Sequence, residues 1–126
     1  MGIDYTTENM NEALRAFNSS ISKCEKAKEK LKENSPQHKW VNRQLEAFYI
    51  SVSLIELSLG ETRGAANQYT AEELASAGET IKKLIETCEK LPDKFKDGSP
   101  QRTLAIRRLE ALYIAQSLVG GVNGDL

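Results

Sequence analysis

Ser35-Pro36-Gln37, followed by Leu45-Glu46-Ala47 and Tyr49-Ile50, returns later in the chain as Ser99-Pro100-Gln101, followed by Leu109-Glu110-Ala111 and Tyr113-Ile114. The offset is 64 residues in every case, and the match extends further. Tyr5-Thr6 lies over Tyr69-Thr70, and Cys24-Glu25-Lys26 over Cys88-Glu89-Lys90, so residues 5–55 align with 69–119 without a gap. A repeat decides architecture before any finer pattern, because each copy is a supersecondary unit that needs a neighbour to cover its apolar face.

Each copy reads as a helical hairpin. Met10, Leu14, Phe17, Ile21, Cys24 and Leu31 recur at spacings of three, four and seven, which puts them on one stripe of a helix. Lys28 is the one interruption. The second copy supplies Leu74, Gly78, Ile81, Ile85, Cys88 and Phe95, interrupted at Pro92. Thr70 with Glu73 makes a capping-box start, and Thr6 with Asn9 a weaker one. A proline inside a helix removes a backbone donor, so the third helix is expected to end or kink near Lys90. The hairpin turns are Glu33-Asn34-Ser35-Pro36 and Asp97-Gly98-Ser99-Pro100. Asn34 and Gly98 suit the left-handed conformation that ends a helix. Ser35 and Ser99 suit the cap of the next helix, and proline suits its first turn.

The second and fourth helices are expected over about Pro36–Leu59 and Pro100–Val119. Gly60 opens a linker, residues 60–68, and Gly120 to Gly124 form a frayed tail. The expected fold is all-α: one domain, residues 1–126, with repeats at 5–59 and 69–119. It is a four-helix arrangement of two homologous hairpins, an internal duplication related by a pseudo-twofold axis.

The second helix is apolar on two sides. Val41, Leu45, Phe48, Val52, Ile55 and Leu59 form one stripe, and Ala47, Ile50, Leu54 and Leu57 a second. The fourth helix sets Ala105, Leu109, Leu112 and Val119 against Ala111, Ile114 and Leu118. A helix apolar on both sides must be covered on both sides. Two explanations compete. The two helices pack on each other inside the chain, or the second stripe (Ala47, Ile50, Leu54, Leu57, Ala111, Ile114, Leu118) is an interface for a second copy or another protein.

Between the stripes lie the polar pairs Arg43/Arg107, Glu46/Glu110, Tyr49/Tyr113 and Ser53/Ser117. Arginine offers a fixed fork to a carboxylate or phosphate, and tyrosine a stacking face. They are candidate ligand- or partner-binding residues; the alternative is a structural ion pair, Arg43 to Glu46, beside a boundary tyrosine. A second candidate is the turn end, where Lys28, Lys30, Lys32, His38 and Lys39 gather with Lys94, Lys96 and Arg102, diluted by Glu29, Glu33, Asp93 and Asp97.

Other chemistry is poorly supported. His38 is the single histidine. A di-iron bundle needs Glu-x-x-His pairs, and Ser35 stands where that glutamate would be. Two cysteines make neither a disulfide framework nor a zinc site; Cys24 and Cys88 read as small core residues or as a pair facing each other. No phosphate-loop or dinucleotide glycine pattern is present. No cofactor, metal or catalytic residue is assigned. A net charge of −1 over 126 residues argues against nucleic acid, which selects basic proteins. No apolar run reaches the roughly 18 residues of a membrane span. Residues 1–9 lack the basic start and apolar stretch of a secretory leader. Met1-Gly2 to Thr6 fits the myristoylation template, but no basic cluster follows as a second anchor. The expectation is a cytoplasmic, non-enzymatic interaction module of adaptor, inhibitor or immunity type, self-associating through the second stripe. The alternative is a binder of a small anionic metabolite or nucleotide at the Arg/Glu/Tyr patches.

Overall fold

The computed structural model describes residues 6–60 and 69–123. The linker residues 61–68 and the start of the myristoylation template lie outside them. Among the described residues the chain is all-helical: α1 (Thr7–Lys30), α2 (Pro36–Ser58), α3 (Ala71–Cys88), a 3-10 turn at Pro92–Lys94, and α4 (Pro100–Asn123).

The helix boundaries follow local chemistry. At α1 the Thr6 hydroxyl accepts from the Asn9 amide at 3.0 Å, while the Asn9 side chain accepts from the Thr6 amide at 3.3 Å. At α3 the Thr70 hydroxyl accepts from the Glu73 amide at 3.0 Å, and Glu73 accepts from the Thr70 amide at 2.9 Å. Asn34 (φ 65°) and Gly98 (φ 78°) take the left-handed conformation in the two hairpin turns. Ser35 then accepts from the His38 amide and Ser99 from the Arg102 amide, both at 3.2 Å. Pro36 and Pro100 open α2 and α4, where a missing N–H costs nothing.

The two hairpins differ where the sequence differs. α1 runs for 24 residues and α3 for 18. Pro92 cannot continue α3, so the chain makes a 3-10 turn that packs on α4. Arg102 ties this corner together. Its Nη1 donates to the Pro92 carbonyl at 2.9 Å, and its Nε lies 3.4 Å from an Asp97 carboxylate oxygen. At the other end α4 continues through Asn123, past the expected stop at Val119. Gly120 and Gly121 raise the cost of a helix by about 1 kcal/mol each, which does not forbid one.

Each helix packs on its neighbours in the chain, α1 also packs on α4, and α2 meets α4 across the middle. α2 and α4 therefore touch all three other helices. The core holds Phe17, Phe48, Ile55, Ile81 and Ala115, with Leu74, Ile85, Leu112 and Val119 around them. Ser51, fully buried, satisfies its hydroxyl by donating to the Ala47 carbonyl at 2.7 Å.

This packing covers most of the second apolar stripe. Ala47, Ile50, Leu54, Ala111 and Ile114 are buried inside the chain as part of the same core, and Leu118 packs against it. Leu57 is half-buried. Most of the second stripe is internal because α2 and α4 each have helices on both sides. The polar faces of α1 and α3 (Glu12, Lys23, Lys26, Ser76 and Lys83) are exposed, as is Lys90 just beyond α3. No described helix is long and apolar enough to cross a membrane.

Gly78 faces α4. A methyl group there would meet Val119 Cγ1 at 3.6 Å, ordinary van der Waals contact. Gly78→Ala is expected to stabilise the fold by about 0.5–1 kcal/mol through helix propensity, read as a higher urea midpoint at unchanged slope.

Candidate functional site

The polar pairs of α2 and α4 line two grooves. Arg43, Glu46, Tyr49 and the apolar floor of Ala47 and Ile50 face α3 residues Glu72, Glu73, Ser76 and Ala77, with Tyr69 at one side. Arg107, Glu110, Tyr113 and the floor of Ala111 and Ile114 face α1 residues Asn9, Glu12 and Ala13. Eight lining positions of the first groove recur in the second at the offset of 64. The volumes are about 410 and 240 Å³. Ile50 and Ile114, expected at an interface, instead form groove floors that the core supports from behind.

Tyr49 and Tyr113 are exposed at the groove edges. The Tyr49 hydroxyl donates to Glu25 Oε2 at 2.6 Å, tying α2 to α1. The Tyr113 hydroxyl donates to Glu89 Oε2 at the same distance, tying α4 to α3. Such short O–H···O⁻ bonds are charge-assisted, although exposure keeps their net effect small. Glu25 and Glu89 were not among the expected site residues, yet both stand in the matched Cys-Glu-Lys triplets. Ser53 bonds the Tyr69 hydroxyl at 2.9 Å, steadying the groove wall, and Ser117 is half-buried on α4. Among the described residues no ion pair joins Arg43 to Glu46 or Arg107 to Glu110. All four side chains are exposed.

Hydrogen bonding to a carboxylate favours the neutral phenol, and the bonds to Glu25 and Glu89 raise the Tyr49 and Tyr113 pKa values above the ordinary 10. A raised folded pKa contributes stability that is fully present below the unfolded value and is lost as pH rises through the folded midpoint. Phenolate absorbance should therefore show both tyrosines ionising above their usual range. Glu25→Ala with Glu89→Ala should bring the midpoints down. Unchanged midpoints in that variant would mean that the bonds do not form in solution.

Charge decides what the grooves can hold. In the first, Arg43 stands among Glu46, Glu72 and Glu73; in the second, Arg107 stands with Glu12 and Glu110. An anion would meet more negative charge than positive, so the expectation of a small anionic ligand at these patches has the electrostatics against it. Beside Tyr49 a further cleft between α1 and α2 adds Glu25, Glu29 and Glu33, countered by Lys28 and flanked by His38. Carboxylates thus outnumber cations in this cleft, and Arg102 at the turn end is engaged internally.

A third cavity, of about 220 Å³, is walled by all four helices. Cys24 and Cys88, both reduced and half-buried, line it together. Burial raises the Cys24 pKa, with a smaller contribution from Glu25. Burial also raises that of Cys88 against an opposing pull from Arg108. Both thiols are therefore protonated at neutral pH, which makes them poor nucleophiles. Among the described residues no group of three or more His, Cys, Asp or Glu side chains is placed to hold a metal ion. Comparison with known proteins finds no matching family model, no matching curated protein and no matching solved structure.

Proposed function

We propose that this chain is a cytoplasmic, non-enzymatic interaction module that binds a basic segment of a protein partner in its two related grooves. On this view the matched segments are an internal duplication, two homologous hairpins about a pseudo-twofold axis, and the axis relates one groove to the other. The observation that carries the reading is the recurrence of eight groove-lining positions at one offset. Core packing accounts for the repeated Ala and Ile floors, and the bonds to Glu25 and Glu89 for the tyrosines, but neither accounts for an exposed arginine and glutamate kept at each rim. Excess carboxylates attract lysine and arginine, and the tyrosine faces suit cation–π contact. Self-association through the second stripe is no part of this proposal.

The test is an amide-shift titration of the labelled protein with a soluble lysine–alanine peptide at low salt. Shifts are expected at Arg43–Ile50 with Glu72–Ala77, and at Arg107–Ile114 with Asn9–Ala13. Glu46→Lys with Glu110→Lys should weaken binding tenfold or more while the helical spectrum stays unchanged, because both side chains are exposed. Shifts confined to the helix ends, or equal binding by that variant, would refute the reading.

A further inference from the structure

The cavity between the four helices differs from the grooves in chemistry. Its walls are mostly apolar: Phe17 from α1, Phe48 from α2, Leu84 from α3 and Leu112 from α4. No carboxylate lines it. Lys23 and Arg108 do, one from α1 and one from α4. Among the described residues Arg108 Nη2 is buried and has no hydrogen-bond partner. A guanidinium nitrogen withdrawn from water without an acceptor is costly, and charged groups in that position are found paired. The matching residue of the first copy is Gln44, which lines the same cavity. One end of the cavity wall therefore carries a fixed positive donor where its counterpart carries a neutral amide.

We propose that this cavity binds a small amphiphilic carboxylate of the medium-chain fatty-acid type. The carboxylate accepts from Arg108, Lys23 lies within the same wall, and the alkyl chain rests on Phe17, Phe48, Leu84 and Leu112. Size fits the assignment. A cavity of about 150 Å³ holds benzene, so the volume of about 220 Å³ here has room for about nine non-hydrogen atoms by proportion, close to the size of octanoate. The site shares no charged residue with the two grooves and stands independently of their function.

Octanoate is the probe, and the two thiols report on the site. Octanoate at millimolar concentration should slow alkylation of Cys24 and Cys88 by iodoacetamide several-fold in the native protein and raise its melting temperature. Octan-1-ol at equal concentration should protect far less, because its neutral hydroxyl is a weaker acceptor for Arg108 than a carboxylate. Arg108→Gln copies the residue of the matching position, so the variant should melt no lower than the parent. It should bind octanoate at least tenfold more weakly in calorimetry. A merely structural arginine predicts the opposite, lower stability with octanoate binding unchanged. No thiol protection by octanoate, equal protection by octanol, or equal octanoate affinity in Arg108→Gln would each overturn the proposal.

Discussion

Replacing Ile50 and Ile114 together with glutamate unfolds the protein. The two side chains are 5% and 4% exposed, and both belong to the common core. Each substitution puts a carboxyl group on a groove floor that the core packs against, where the single arginine, Arg43 or Arg107, is already outnumbered by carboxylates. The cost is on the order of 3 kcal/mol or more per site even after the carboxyl takes up a proton. A domain of this size holds only about 5–15 kcal/mol in all. Far-UV circular dichroism should lose most of its helical signal at 25 °C. A cooperative melt at the parent temperature would mean that the second stripe is a surface after all. Leu104→Glu is the control. Leu104 is 43% exposed on α4, so the same charge there should change stability by no more than about 0.5 kcal/mol.

Phe17→Ala has the next largest effect. Phe17 is 2% exposed, and its ring lies 5.6 Å from that of Phe48 at an angle of 47°. This contact joins α1 to α2 within the core. Truncation of a buried phenylalanine costs about 3–5 kcal/mol, because the transfer energy is lost and a void remains. The tilted ring pair is part of that sum. Urea denaturation should show the midpoint falling steeply at unchanged slope. A loss below about 1 kcal/mol would show that the neighbouring side chains collapse into the space. Ile81, which occupies the matching position in α3 and is fully buried, should respond to Ile81→Ala with about 2–5 kcal/mol.

The turns were the most legible part of the chain. Asn34-Ser35-Pro36 and Gly98-Ser99-Pro100 each combine three residues whose backbone preferences agree, so local chemistry alone fixes the break between helices. The early end of α3 was legible for the same reason, since Pro92 acts within its own turn. The stripes of α1 and α3 were legible because one apolar face admits one orientation toward a core. The two-sided pattern of α2 and α4 was not, because periodicity gives the angle of a face and not the identity of what covers it. Placing Ala47 and Ile114 inside the chain needed the order of the four helices around the core.

The groove residues were half legible. Arg43, Glu46 and Tyr49 stood out because they return together and because three or four residues on a helix share a side. Their charged neighbours Glu72, Glu73 and Glu12 come from helices remote in sequence, and with them the electrostatic sign of the groove reverses. Glu25 and Glu89 carried a usable signal, being matched polar residues on the opposite arm of each hairpin. Arg108 carried the reverse signal, a departure from the match at Gln44. Its importance depends on a cavity assembled from four helices, which no single-helix pattern contains. Helix propensity misplaced the end of α4, where Gly120 and Gly121 weaken the helix without stopping it.

The order of packing around the core also sets a kinetic expectation. α1 lies on α2, α2 on α3 and α3 on α4, so most of the burial can be gained between segments adjacent in the chain. Only the contact of α1 with α4 and the central meeting of α2 with α4 join distant segments. Loop-closure entropy is therefore small for nearly every step, and bundles with so local a topology fold within roughly microseconds to milliseconds. The seam between α1 and α4 should accordingly close late, and it is one wall of the second groove.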